Sequence, residues 1–164
     1  MSFRAPTFLE VAQDVLKEGY EVQLDTRGDS MVPLIRSGGF LRVEAVKPEQ
    51  LRLGDVIIYR VGELLVAHRL VRKRWEGGLL RLHSKGDAFP WRVWEEVPPE
   101  QVLGRVTVVR GPRGREIRID AGWGRVLSLI LAATWPLPQG LFRIFVKCKT
   151  VLTKQSQAVP DSRT

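Results

Sequence analysis

Gly77-Gly78 stands between two strand-length runs, Leu64 to Trp75 and Leu79 to Lys85. Two glycines between such runs are a hairpin signal, and a hairpin this long commits its surroundings to antiparallel β structure. The same rhythm recurs along the chain. Tyr20, Val22 and Leu24 alternate with Glu21, Gln23 and Asp25, which predicts a half-buried strand from Tyr20 to Thr26. Phe40 to Val46 is the next expected strand, Pro48-Glu49-Gln50 turns the chain, and Gly54-Asp55 opens a strand through Val56, Ile57, Ile58 and Tyr59 that Gly62 breaks. After a loop holding Pro90, Trp91 and Trp94, Pro98-Pro99 turns the chain again. Gly104 to Arg110 and Arg115 to Asp120 form a second hairpin around Gly111-Pro112-Arg113-Gly114.

Helical periods appear only at the two ends. Thr7 and Glu10 make a capping box, and Phe8, Val11, Ala12, Val15 and Leu16 share one face of a helix from Thr7 to Glu18. From Trp123 onward, Val126, Leu127, Leu129, Ile130 and Leu131 predict a helix that is apolar nearly all round. Leu141, Phe142, Ile144, Phe145 and Val146 predict another. The expected fold is mostly β: coiled, antiparallel sheets with one N-terminal helix and C-terminal helices. The expected division is an N-terminal helix over 1–19, a β domain over 20–120, an apolar and basic helical segment over 121–152, and a disordered tail over 153–164.

Charge is unevenly placed. Residues 1–104 hold 15 Lys+Arg and 15 Asp+Glu, whereas residues 105–164 hold 11 against 3, so the whole net charge of +8 lies in the last third. A basic segment with apolar runs suits an anionic membrane surface, here through residues 123–152, with nucleic acid the less favoured partner. No run reaches 18 apolar residues: the longest, Val126 to Leu137, is interrupted by Pro136 and closed by Pro138. The N-terminus lacks the apolar core of a secretory signal. The expected location is cytoplasmic, with peripheral attachment to a membrane. One cysteine, Cys148, allows no internal disulfide, and with only two histidines the chain is poorly equipped for zinc. No cofactor or metal is expected.

Gly28-Asp29-Ser30-Met31-Val32-Pro33 places a serine on a sharp bend between two strands, where a nucleophile is held proud of the fold. A two-residue loop at Gly77-Gly78 makes facing residues sum to 155, so that His68 faces Asp87. Opposed residues share a side of the sheet with Cβ atoms about 4.5–5.5 Å apart. A carboxylate beside an imidazole is the orienting pair that a hydroxyl nucleophile needs. A bulge, or a loop of three or five residues, shifts this register and moves Asp87 to the other face.

With Ser30, His68 and Asp87 in place, the sequence resembles the serine peptidase superfamily of type I signal peptidases and LexA-like repressors. It is most similar to the archaeal and endoplasmic-reticulum type of signal peptidase, in which histidine replaces the general-base lysine. The resemblance runs from about Leu24 to Val109. Ser30-Met31-Val32-Pro33 resembles the nucleophile motif, and Arg36 to Leu41 the entry to the following strand. Leu53-Gly54-Asp55-Val56 is similar to a Gly-Asp-x-Val strand, and Val66-Ala67-His68-Arg69 to the base motif. Ser84-Lys85-Gly86-Asp87 is similar to a Lys-Gly-Asp motif, and Val102-Leu103-Gly104-Arg105 to the closing strand.

The resemblance implies Ser30 as nucleophile, His68 as general base and Asp87 as acidic partner, with Gly28 and Met31 at the oxyanion and substrate-binding positions. Three positions depart from the family. Val93 stands where another aspartate is usual, with Glu95-Glu96 just beyond. Asp29 replaces a glycine before the serine, and no N-terminal membrane anchor is read. The function so implied is a serine endopeptidase, signal-peptidase-like, cleaving a leader or precursor peptide by a Ser-His(-Asp) mechanism. The alternative is an inactive β scaffold that binds a protein or nucleic acid through its basic C-terminal region.

Overall fold

The computed structural model describes residues 8–90 and 93–133. Helix α1 (Phe8–Lys17) leads into β1 (Val22–Asp25) and β2 (Phe40–Glu44). There follow β3 (Val56–Val61), β4 (Leu64–Glu76), β5 (Leu79–Lys85), β6 (Glu95–Val97), β7 (Val102–Arg110) and β8 (Glu116–Arg118), and helix α2 (Gly122–Ala133). The fold is mostly β, as expected. The expected second C-terminal helix, the tail, Thr7, Trp91 and Cys148 lie outside the described residues.

All strand pairs are antiparallel. The eight strands form one sheet in the order β1-β2-β7-β3-β4-β5-β6, with β8 added beside β7. Strand β7 joins the halves: Arg105 to Arg110 pair β2, Val102 to Arg105 pair β3, and Val108 to Arg110 also pair β8.

The sheet buries apolar side chains on both sides. Val56 and Ile58 of β3 join Leu24, Leu41, Val43, Val106 and Val109 in one core, which α1 covers through Leu16 and the Ser30 loop through Met31 and Ile35. Ile57 and Tyr59 point the other way, into a second core with Leu51, Leu70, Leu82 and Val97. The period of two explains why β3 reads as a near-continuous apolar run: it is central, with both faces covered.

Two local expectations are corrected. Helix α1 buries Leu9, Ala12 and Leu16, while Phe8 and Val11 are exposed. The buried stripe at i, i+3 and i+7 keeps Ala12 and Leu16 of the expected one and takes Leu9 in place of Phe8. Second, the stretch read as a loop holds β6, which pairs Glu95 with Ser84 and Val97 with Leu82. Three residues are too few to show a strand period.

The Gly77-Gly78 hairpin forms with both glycines at positive φ. Its partners sum to 155 from Glu76↔Leu79 to Arg72↔His83. A bulge then intervenes, and Leu70↔Ser84 and Arg69↔Lys85 sum to 154.

Candidate active site

Ser30 sits in a loop fixed at both ends. At the neck, the Thr26 hydroxyl donates to Arg36 O (2.6 Å) and accepts from Gly39 N–H (2.8 Å), and Thr26 N–H donates to Gly39 O (2.9 Å). Gly28 lies at φ +81°, a conformation that costs a side-chain-bearing residue energy. Met31, 3% exposed, anchors the loop in the first core, and the Val32–Pro33 peptide is cis. At the tip, Ala88 N–H donates to Ser30 O at 2.9 Å. Gly86 makes this docking possible: a Cβ there would stand 2.7 Å from Ser30 O and 2.8 Å from Phe89 Cδ2.

The same turn reaches the histidine. The Phe89 ring meets the His68 ring edge-on, with centroids 5.7 Å apart. The structure thus brings the Ser30 backbone and the His68 ring to one turn, Gly86 to Phe89. His68 lies on β4 opposite Ile57 and is 5% exposed. Burial lowers its pKa below the ordinary 6.5, against the opposing pull of the Glu95 and Asp87 carboxylates. A lowered pKa leaves the imidazole neutral near pH 7, the form that accepts a proton.

The expected pairing of His68 with Asp87 is not present. Asp87 is held by Arg69: Nε donates to Oδ1 at 2.7 Å and Nη2 to Oδ2 at 2.6 Å, while Nη1 donates to Gly54 O at 2.9 Å. The bulge is the reason. It sets Arg69 opposite Lys85, and Asp87, two residues further on, falls on the Arg69 side of the sheet rather than the His68 side. The Arg69 and Asp87 side chains are 1% and 5% exposed, so this is a buried, bidentate ion pair.

His68 meets other groups. Its Nδ1 lies 3.0 Å from the Tyr59 hydroxyl, which donates to Glu95 Oε2 at 2.8 Å and accepts from the Ser84 hydroxyl at 3.2 Å. Glu95 Oε2 is 4.0 Å from His68 Nδ1. Burial, more than the Glu95 charge, holds the Tyr59 phenol protonated well above its ordinary range. Tyr59 pairs with Val66, two residues before His68, so the two are diagonal neighbours on one face. Sequence reasoning missed Tyr59 and Ser84; the neighbouring Glu96 instead pairs with Arg81.

Beside Ser30 runs a cleft of about 760 Å³, lined by Leu24, Gly28, Met31, Ile58, Leu65 and Ala67 among others. It lies between β1 and the first half of β4. Strand β1 is at the sheet edge, and β4 pairs β5 only from Arg69 onward. Among the described residues, both strands therefore present an open edge to the cleft. Open edges take up an extended peptide by strand addition. Gly28 and Met31 both line this cleft with Ser30.

A family model described as Peptidase S24-like matches residues 4–107, which is 104 of the 164 residues. The match reaches into β7 and includes Ser30, His68 and Asp87. Among curated proteins the sequence finds no match.

Proposed function

The chain belongs to the Peptidase S24-like family, and on that premise we propose that it is a serine endopeptidase of the signal-peptidase type. It cuts an extended leader or precursor segment, with Ser30 as nucleophile and His68 as general base. The observation that carries this reading is the cleft. It has a serine at a doubly pinned loop tip and open strand edges beside it, and the turn that docks the serine also carries the Phe89 ring against which the buried His68 packs.

In this reading a peptide lies along the open edge of Leu64 to His68 with its scissile carbonyl at Ser30. The Ser30 oxygen bonds to the carbonyl carbon as His68 Nε2 takes the hydroxyl proton. The Ser30 N–H, with the Gly28 turn behind it, is the expected donor to the oxyanion, a contribution typically worth about 10²–10³ in rate. The C–N bond then breaks, and the imidazolium returns its proton to the leaving amine. Water activated by the same imidazole hydrolyses the acyl ester. Asp87, held by Arg69, serves by fixing the Gly86–Phe89 turn.

The site also belongs at a membrane surface in this proposal. Helix α2 is fastened to the body by Arg125, which pairs with Asp55 and donates to Leu53 O at 2.9 Å. Its other side exposes Trp123, Val126 and Ile130. An apolar stripe on the basic third of the chain suits anionic lipid.

The test is mass spectrometry of peptide libraries incubated with the protein in lipid. Wild type should cleave, Ser30→Ala should abolish cleavage, and His68→Ala should reduce it about 10²–10⁴-fold. Cleavage that persists in folded Ser30→Ala protein would refute the assignment.

A further inference from the structure

The hydrogen-bond network around Tyr59 determines which nitrogen of His68 holds the proton. Four strands each contribute one group to the same face: Tyr59 from β3, His68 from β4, Ser84 from β5 and Glu95 from β6. The Tyr59 hydroxyl has one proton and two lone pairs. The Glu95 carboxylate has nothing to donate, so the contact at 2.8 Å requires the Tyr59 proton. Ser84, at 3.2 Å, donates to one lone pair. Only the other lone pair is left to meet His68 Nδ1 at 3.0 Å.

Nδ1 must then supply a hydrogen of its own. The competing arrangement, in which Tyr59 donates to Nδ1, leaves Glu95 facing an oxygen with no hydrogen between them. Hydrogen bonds to an ionised acceptor are roughly twice as strong as neutral ones, which decides between the two. With hydrogen on Nδ1, Nε2 is bare, and a bare Nε2 is the proton acceptor that a general base needs.

We propose that Glu95 acts through the Tyr59 hydroxyl to hold His68 in the Nδ1–H form and to stabilise its imidazolium. Tyr59 and Glu95 are thus positioning residues for the Ser30–His68 chemistry, and the proposal rests on the peptidase reading above. The carboxylate that a directly paired aspartate would supply is replaced by a carboxylate one phenol away. The other charges near the ring do not substitute for it. Asp87 also favours the imidazolium, less than Glu95 does, but both of its oxygens are held by Arg69, and Lys85, its ammonium form disfavoured by burial, adds positive charge beside it.

The chain has two histidines, so ¹⁵N-histidine NMR reports on His68 directly, with His83→Asn for assignment and no dependence on turnover. Wild-type His68 is expected in the neutral Nδ1–H form. Glu95→Gln, a same-shape change at a half-exposed side chain, should shift the ring toward Nε2–H, because a Gln amide donating to the Tyr59 oxygen turns the phenol proton back to Nδ1. It should also lower the His68 pKa further, since the removed charge favours the imidazolium. Its kcat should fall about 10²-fold with KM little changed, and the acid limb of its pH profile should move to lower pH. Tyr59→Phe should reproduce the tautomer change. A wild-type ring found as Nε2–H, or a tautomer and pKa unchanged in Glu95→Gln, would overturn the proposal and leave the peptidase reading standing. Peptide cleavage indifferent to Ser30→Ala would remove that reading and leave the tautomer result intact.

Discussion

Replacing Asp87 by alanine separates a structural carboxylate from one that works on the histidine. Asp87 accepts two hydrogen bonds from Arg69, whose side chain is only 1% exposed and whose third contact is Gly54 O. Removing the carboxylate leaves a guanidinium in the interior with two donors unsatisfied. Breaking a buried pair from one side costs about 3–5 kcal/mol. For a chain of this size, about 1 kcal/mol corresponds to roughly 2–4 °C, so the melting temperature should fall by about 10 °C. Replacing both partners, as in Arg69→Met with Asp87→Leu, removes the stranded charge and should recover most of the loss. Urea unfolding at pH 7 measures both variants, and turnover is compared at a temperature where each is folded. An Asp87→Ala protein within about 1 kcal/mol of wild type, with kcat down about 10²-fold and a shifted acid limb, would refute the argument. Asp87 would then act on His68 after all.

Three further outcomes are expected. Gly86→Ala forces a Cβ to 2.7 Å from Ser30 O and should detach the Ser30 tip from Ala88; peptide turnover should drop by at least about tenfold, with a modest loss of stability in urea, and unchanged kinetics would contradict the docking. His68 and His83 both titrate below their ordinary 6.5, chiefly because burial disfavours the charged ring. The unfolded chain therefore binds more protons in the window from 6.5 down to the lowered folded values, and stability should fall with pH across it. Urea titrations in that window check this, and His68→Asn with His83→Asn should flatten the slope. Sedimentation with phosphatidylglycerol vesicles should capture the wild type in low salt, and Trp123→Ala with Ile130→Gln should weaken capture at least about tenfold; equal partitioning of the two proteins would exclude α2 as the contact.

The parts of this molecule that were legible from sequence are those fixed by short-range rules. The Gly77-Gly78 turn, the alternation of β1 and the continuous apolar run of β3 each follow from local chemistry, and every strand but β6 lies within a few residues of expectation. The tip that presents Ser30 was legible because Gly28 and Pro33 restrict the backbone on either side of it. Tyr59 was hidden for a different reason. In β3 it reads as one more apolar residue, and nothing nearby in sequence shows that its hydroxyl meets groups from three other strands. Glu95 and Glu96 are equivalent in sequence. Only the pairing of β6 with β5 turns the first toward Tyr59 and the second toward Arg81.

One bulge between Leu70 and Arg72 accounts for the failed pairing of His68 with Asp87, while the end of β5 at Lys85 leaves the cleft open. An unbroken register would have continued the 155 sum through His68 and set Asp87 beside the imidazole. The extra residue changes the sum to 154, gives Asp87 to Arg69 and leaves the imidazole to Tyr59. Strand pairing between β4 and β5 ends at Arg69 and Lys85, so Leu64 to Ala67 keep a free edge on the cleft beside Ser30. A site that binds extended peptide needs that edge, and a base at its end needs a carboxylate from elsewhere. The end of β5 at Lys85 stops the pairing just past the histidine, and the short strand β6 brings Glu95 back beside β5 to supply the charge. The bulge thus defeats the register argument from sequence, and the shortness of β5 makes room for a substrate.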